Sequence, residues 1–140
     1  DAAYAASLTT LADTLGIRDR VVFTGFRDDV ADCLAALDLA VHASTVPESF
    51  GLALIEAMAA GTALVAAEGG AVREIIAPGE NAVLVSPGDH ETLATALLAL
   101  CDDPDHRAAL AAAGERTARE RFGAKRMTRS LENLYRTLVT

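Results

Sequence analysis

Two glutamates, one just before a predicted helix and one within it, are the residues whose type and spacing best suit ligand binding or catalysis. Glu48 precedes Ser49-Phe50-Gly51, and Glu56 is the one charged residue in the stretch 50–60. A helix that is apolar all round is expected to be buried. A buried carboxylate is costly unless hydrogen-bond donors meet it. Two vicinal ligand hydroxyls, as on a ribose, would match its two oxygens, and a core carboxylate bonded to a backbone N–H is the alternative.

The beginning of this helix, predicted over residues 49–60, has the features of an anion site. We expect Ser49, Phe50 and Gly51 to present free backbone N–H groups at the positive end of the helix. Gly51 would let a ligand approach the backbone closely. By the rise of a helix, Glu48 and Glu56 lie roughly 10 Å apart, which is the scale of a nucleotide diphosphate sugar.

The elements that must position this helix alternate between apolar strands and helices. Strands are predicted at 21–24, 39–42, 62–66 and 82–85, and helices at 2–15, 29–37, 49–60, 71–77, 93–100, 104–122 and 127–138. This order indicates an α/β fold, a Rossmann-like parallel sheet with helices on both faces. The loop at 43–48 follows a strand and enters a helix, the place where open parallel sheets bind ligands.

The length, charge and cysteine content of the chain limit the classes of function that it can have. The 140 residues suit one domain, 1–140, with C-terminal helices over 104–139, and the net charge is −8. Residues 1–100 carry four basic and fourteen acidic side chains, which argues against nucleic-acid binding. Cys33 and Cys101 are far apart, and free thiols in a reducing cytoplasm are expected. A basic face on the last helix is solvated or touches lipid, and nothing in the sequence decides between these: Lys125, Arg126, Arg129 and Arg136.

Five segments, in order and at compatible spacing, resemble those of retaining glycosyltransferases of the GT-B fold, in family four. Glu48, seven residues and Glu56 match the family's Glu-x7-Glu motif. The other four segments are Val21-Val22-Phe23-Thr24-Gly25, Asp38-Leu39-Ala40-Val41-His42-Ala43-Ser44, Glu56-Ala57-Met58-Ala59-Ala60-Gly61 and Gly69-Gly70-Ala71-Val72-Arg73-Glu74. The resemblance covers residues 2–139 and identifies the chain as the donor-binding, C-terminal part of such an enzyme.

The resemblance implies a role for each matching residue. Glu48 would hold hydroxyls of the transferred sugar and act as the catalytic residue, and Glu56 would bind the ribose. Main-chain contacts to the sugar and diphosphate are implied at Ser49, Phe50, Gly51 and Leu52. Phe23, Thr24 and Gly25 would line the base pocket, and Ser44 would lie near the phosphates. The substrate would be a nucleotide diphosphate sugar, and no cofactor or metal is expected.

One departure from the family pattern is an absence. The family's donor domain begins with two strands and a G-R-x-x-x-x-K-G segment, none of which precedes residue 2 here. We therefore expect an incomplete domain whose sheet has a gap between the strands at 21–24 and 39–42. Partners would be the absent N-terminal acceptor domain and, through an exposed sheet edge, a second copy of the chain. The competing hypothesis is a non-catalytic nucleotide-binding or self-associating module.

Overall fold

The computed structural model describes residues 2–139 and has a three-stranded parallel sheet at its centre. Its helices are α1 Ala2–Thr14, α2 Val30–Ala35, α3 Leu52–Ala59, α4 Val72–Ile75, α5 His90–Asp102, α6 Pro104–Phe122 and α7 Ala124–Val139. Its strands are β1 Leu39–His42, β2 Ala63–Ala67 and β3 Val83–Val85, and they lie side by side in the order β1-β2-β3. The predicted α/β fold with a parallel sheet is confirmed.

The central strand β2 carries core residues toward both faces of the sheet, because successive side chains of a strand point to opposite sides. On one face Leu64 and Ala66 belong to a buried cluster with Leu54 and Met58 of α3. On the other face Val65 packs in a cluster with side chains of α5 and α6, Leu100 and Leu110. All five residues of β2 are buried, as a continuously apolar parallel strand requires.

No strand forms at 21–24 in the part of the chain that the structure describes, and the strands expected to be missing between that segment and β1 are missing from the sheet. Residues 21–24 pair with no strand, and the exposed fraction is 81% for Val22 and 45% for Phe23. Val-rich segments form strands when a neighbouring strand completes their hydrogen bonds, and here none lies beside them. The sheet therefore begins at β1, where Val41 is 47% exposed.

Helix α3 is shorter and less buried than predicted. It begins at Leu52 and not at position 49, with Gly51 as its N-cap in the left-handed conformation at a φ of 85°. Leu54 and Met58 are fully buried, whereas Leu52 and Glu56 are exposed. The expectation of a helix buried all round is wrong, because no described element covers its outer face.

The C-terminal helices begin and end near their predicted limits. Asp103 caps α6, and its carboxylate accepts a hydrogen bond of 2.9 Å from the backbone N–H of His106. Helix α7 presents an exposed apolar face made of Met127, Leu131, Leu134, Tyr135 and Leu138. Within residues 2–139, no helix combines the length and the apolar character that crossing a bilayer demands.

Candidate functional site

The loop that carries Glu48 is fastened to the turn after β2. The backbone carbonyl of Glu48 accepts a hydrogen bond of 2.9 Å from the N–H of Ala71, and Glu48 pairs with Gly70 as a parallel bridge. At Gly70 φ is +57°, and a Cβ would lie 2.1 Å from the Glu48 carbonyl oxygen. Only glycine fits there, so the Gly69-Gly70 turn fixes the position of the Glu48 backbone.

The Glu48 carboxylate is held by the backbone of its own loop. Its Oε1 accepts hydrogen bonds from the N–H groups of Phe50, at 3.3 Å, and Gly51, at 3.1 Å. These two donors, with a smaller contribution from the nearby His42, hold the pKa of the Glu48 carboxyl below its usual value. Glu48 thus lies at the beginning of α3 as an ionised, oriented group.

This arrangement corrects the expectation of free N–H groups at two of the three predicted positions, Phe50 and Gly51. Phe50 and Gly51 already donate to Glu48, so those two donors are in use within the chain. One residue further on, the N–H groups of Leu52 and Ala53 have no acceptor among residues 2–139. They lie in the first turn of α3, where the helix end favours negative charge. The N–H groups of Leu52 and Ala53 are therefore available to an anion.

Glu56 lies on the exposed side of α3, one turn beyond Leu52. It lines an open pocket of about 290 Å³ together with Val30, Ala31, Leu34, Ala59 and Ala60. Within the described residues its carboxylate has no hydrogen-bond or ion-pair partner, although its backbone carbonyl accepts from Ala60. The alternative of a core carboxylate bonded to a backbone N–H is therefore excluded.

The remaining predicted residues fall into two groups. Ser44 lies in the same loop as Glu48, and its hydroxyl donates to the carbonyl of Val46 at 2.9 Å. Phe23 lines an apolar pocket with Leu8 and Leu11 of α1, which is not the pocket that Glu56 lines. Thr24 and Gly25 are exposed beside it. Ser49, Phe50, Gly51 and Leu52 thus follow Glu48 directly into α3, and Ser44 lies in the loop before it, while the roles of all these residues and of Phe23, Thr24 and Gly25 stay predictions.

Sequence reasoning assigned too little to two residues. His42, which has no role of its own among the predicted site residues, has its Nε2 3.3 Å from Oε2 of Glu48. Thr62, predicted as the first residue of a strand, lies just before β2, is buried, and donates from its hydroxyl to the carbonyl of Leu34 at 2.6 Å. The position of His42 could have indicated this contact, because His42 is the last residue of β1 and the loop that follows β1 carries Glu48. No group of three His, Cys, Asp or Glu side chains within residues 2–139 has a metal-binding arrangement.

Comparison with known proteins shows the family. Residues 1–117 match the family described as Glycosyl transferases group 1, and the chain belongs to it. The D-inositol 3-phosphate glycosyltransferase of Thermobispora bispora is 39% identical over 141 residues, covering 94% of this chain and 32% of that protein. The N-acetyl-alpha-D-glucosaminyl L-malate synthase of Bacillus anthracis is 32% identical over 129 residues, covering 92% of this chain and 34% of that protein.

Solved structures show the same relation. Anabaena Alr3699/HepE in complex with UDP superposes with a TM-score of 0.93 at 33% identity, covering 96% of this chain and 37% of that one. Its complex with UDP-glucose gives a TM-score of 0.92 at 32% identity, covering 98% and 38%. The fold is that of the C-terminal Rossmann-like domain of GT-B glycosyltransferases, and the chain spans about one third of the length of its relatives.

Proposed function

We propose that the chain is the donor-binding part of a retaining glycosyltransferase, which moves a sugar from a nucleotide diphosphate to an acceptor. The observation that carries this proposal is Glu56, an unpaired carboxylate on the open side of α3 that lines a pocket. The unsatisfied N–H groups of Leu52 and Ala53 lie one turn before it. A carboxylate beside a helix start suits a ribose next to a diphosphate.

The chemistry follows from the charge that develops on the leaving diphosphate. The first turn of α3 would stabilise this charge with fixed backbone dipoles, so the reaction would need no metal ion and no cofactor. Glu48 would accept a hydrogen bond from a hydroxyl of the transferred sugar. Phe23, Thr24 and Gly25 would contact the base, and Ser44 the phosphates, in the assembled enzyme.

The setting of the reaction belongs to the same proposal. The acceptor would bind a second domain, and the cleft between that domain and the Glu48 loop would hold the reacting sugar. We expect the enzyme to work in the cytoplasm, where sugar nucleotides are the donors. Anabaena Alr3699/HepE supports the substrate class, because it has been solved with UDP and with UDP-glucose.

A thermal-shift titration of this chain with UDP, GDP, ADP and their glucose conjugates tests donor binding. A ligand that binds only the folded state stabilises it by about 2.7 kcal/mol at a concentration of 100 times Kd. We expect the Tm to rise with one nucleotide and the rise to be lost in Glu56→Ala. An exposed glutamate on another helix provides the control, Glu120→Ala. The same rise in Glu56→Ala and in the wild type would contradict the assignment of Glu56.

The two glutamates are expected to act on different parts of the donor. Glu56→Ala should weaken UDP and the sugar conjugate to the same extent, because the ribose is common to both. Glu48→Ala should weaken the sugar conjugate more than plain UDP, and should lower turnover in the complete enzyme. Isothermal calorimetry with UDP and UDP-glucose measures both ratios. An equal loss of plain UDP in the two variants would overturn this division of roles.

A further inference from the structure

The histidine at the end of β1 is a half-buried polar side chain that the proposed reaction has not yet used. The His42 side chain is 19% exposed, and its Nε2 lies 3.3 Å from Oε2 of Glu48. Its other ring nitrogen, Nδ1, is buried and has no hydrogen-bond partner among the described residues. His90 and His106 differ from it, because both are exposed at the beginnings of helices. His42 therefore has one polar neighbour on one side of its ring.

The backbone fixes only half of the Glu48 carboxylate. Oε1 receives the N–H groups of Phe50 and Gly51, whereas the contact found for Oε2 is with Nε2 of His42. A carboxylate has about four acceptor positions. With a donor on Nε2 of His42, three of them are filled and one stays open on Oε2. Without that donor, the carboxylate plane is free to rotate about the contact that Oε1 makes.

We propose that His42 is a positioning residue, which orients the open acceptor position of Glu48 toward a hydroxyl of the donor sugar. This inference rests on the proposed function. It requires a proton on Nε2, since the contact to Oε2 needs a donor there. A neutral ring with its proton on Nδ1 would leave a buried N–H without an acceptor and would place a lone pair against a carboxylate. Strand β1 thus places the His42 ring, and the His42 ring orients the Glu48 carboxylate.

Nuclear magnetic resonance of the ligand-free wild type tests the ring state without any donor. Long-range ¹H–¹⁵N spectra report which nitrogen of His42 carries the proton. We expect a proton on Nε2 at neutral pH, and an unprotonated Nε2 would overturn the proposal. This measurement needs no substitution, so it decides even if a His42 variant fails to fold.

A second measurement asks whether the ring acts on Glu48. His42→Leu removes the donor, whereas His42→Gln keeps an amide N–H near the position of Nε2. We expect the pKa of the Glu48 carboxyl, followed by ¹³C titration, to rise in His42→Leu and to change less in His42→Gln. The same substitutions at the exposed His106 provide the control and should leave the Glu48 resonance unchanged. An unchanged Glu48 titration in a folded His42→Leu variant would contradict the role.

Donor affinity separates positioning from general support of the fold. His42→Leu should weaken UDP-glucose about 3- to 10-fold more than UDP, the range expected for one hydrogen bond. His42→Gln should restore most of this difference. Equal losses for UDP and UDP-glucose, with no recovery in His42→Gln, would overturn the proposal. If the wild type binds neither ligand, donor binding by this chain fails, and the resonance measurements still decide the role of His42.

Discussion

The two glutamates of the motif occupy opposite kinds of surroundings. Glu48 has donors from Phe50 and Gly51, a neighbouring histidine and a backbone fastened to the Gly69-Gly70 turn. Glu56, eight residues later, is exposed and has no side-chain partner in the described part of the chain. The protein organises the first carboxylate, whereas the second is exposed and, under the proposed function, would be organised by the bound donor.

Under the proposed function, this difference reflects the separate roles of Glu48 and Glu56. A group that must meet a reacting sugar benefits from a fixed orientation before the ligand arrives. A group that recognises two ribose hydroxyls needs open acceptor positions, and a rigid helix is enough to place it. Variants should therefore affect the stability of the protein at Glu48 and its neighbours, and affect only ligand binding at Glu56.

The largest effect on this comparison is expected from Gly70→Ala. A Cβ there would lie 2.1 Å from the Glu48 carbonyl oxygen, on a backbone with φ of +57°. We expect a loss of roughly 2–4 kcal/mol in the free energy of unfolding, together with displacement of the Glu48 loop. Urea denaturation measures the first, and the backbone resonances of Phe50 and Gly51 report the second.

Gly79→Ala is the matched control for that variant. Gly79 has a similar φ of +76°, but a Cβ there would meet nothing within 4 Å. It should lose only the backbone contribution, about 1–2 kcal/mol, and leave the Glu48 loop in place. Equal losses at the two glycines would show that the turn does not fasten the Glu48 loop.

The sequence predicts those features of the fold and site that depend on residues close together in the chain. The helix-strand order, the cap at Asp103 and the closeness of Glu48 to the start of α3 follow from apolar spacing and turn residues. The strand at 21–24 was mispredicted, because strand formation depends on a neighbour that spacing alone does not reveal. The burial of α3 was overestimated for the same reason, since a helix face is buried only when another element covers it.

The details of the site depend on contacts between distant segments. No spacing rule shows that Glu48 takes the N–H groups of Phe50 and Gly51, which the sequence left free for a ligand. The approach of Gly70 to Glu48 and of His42 to the same residue joins the ends of two strands. The sequence thus predicts the residues of the candidate site, and their mutual orientation depends on the folded chain.

Glu48→Ala should have the next largest effect on stability. It removes the acceptor for two N–H groups at the start of α3, much as the loss of a helix cap does. We expect the Tm to fall by a few degrees in the absence of any ligand. Differential scanning calorimetry of the ligand-free chain checks this. A Tm equal to that of the wild type would mean that water replaces the carboxylate at no cost.

The contribution of the Glu48 carboxylate to stability should also depend on pH, and this effect should be smaller than the loss in Glu48→Ala. The folded chain holds the pKa of the Glu48 carboxyl below its usual value, chiefly through the Phe50 N–H. A lowered pKa contributes stability above the unfolded value, and this contribution is lost as the pH falls through the folded value. The Tm difference between wild type and Glu48→Gln should therefore be largest near neutral pH and should shrink in acid. A difference that grows in acid would contradict the sign.

The smallest effect on stability is expected at Glu56. Its side chain is exposed and makes no described contact, so Glu56→Ala should change the free energy of unfolding by no more than about 0.5 kcal/mol. Chemical denaturation without ligand measures this change. If Glu56→Ala destabilises the chain as much as Glu48→Ala, its carboxylate serves the fold, and the contrast between the two glutamates is lost. If its stability is unchanged while UDP binding is lost, Glu56 is kept for the ligand, because the fold alone gives no reason for an acid at that position.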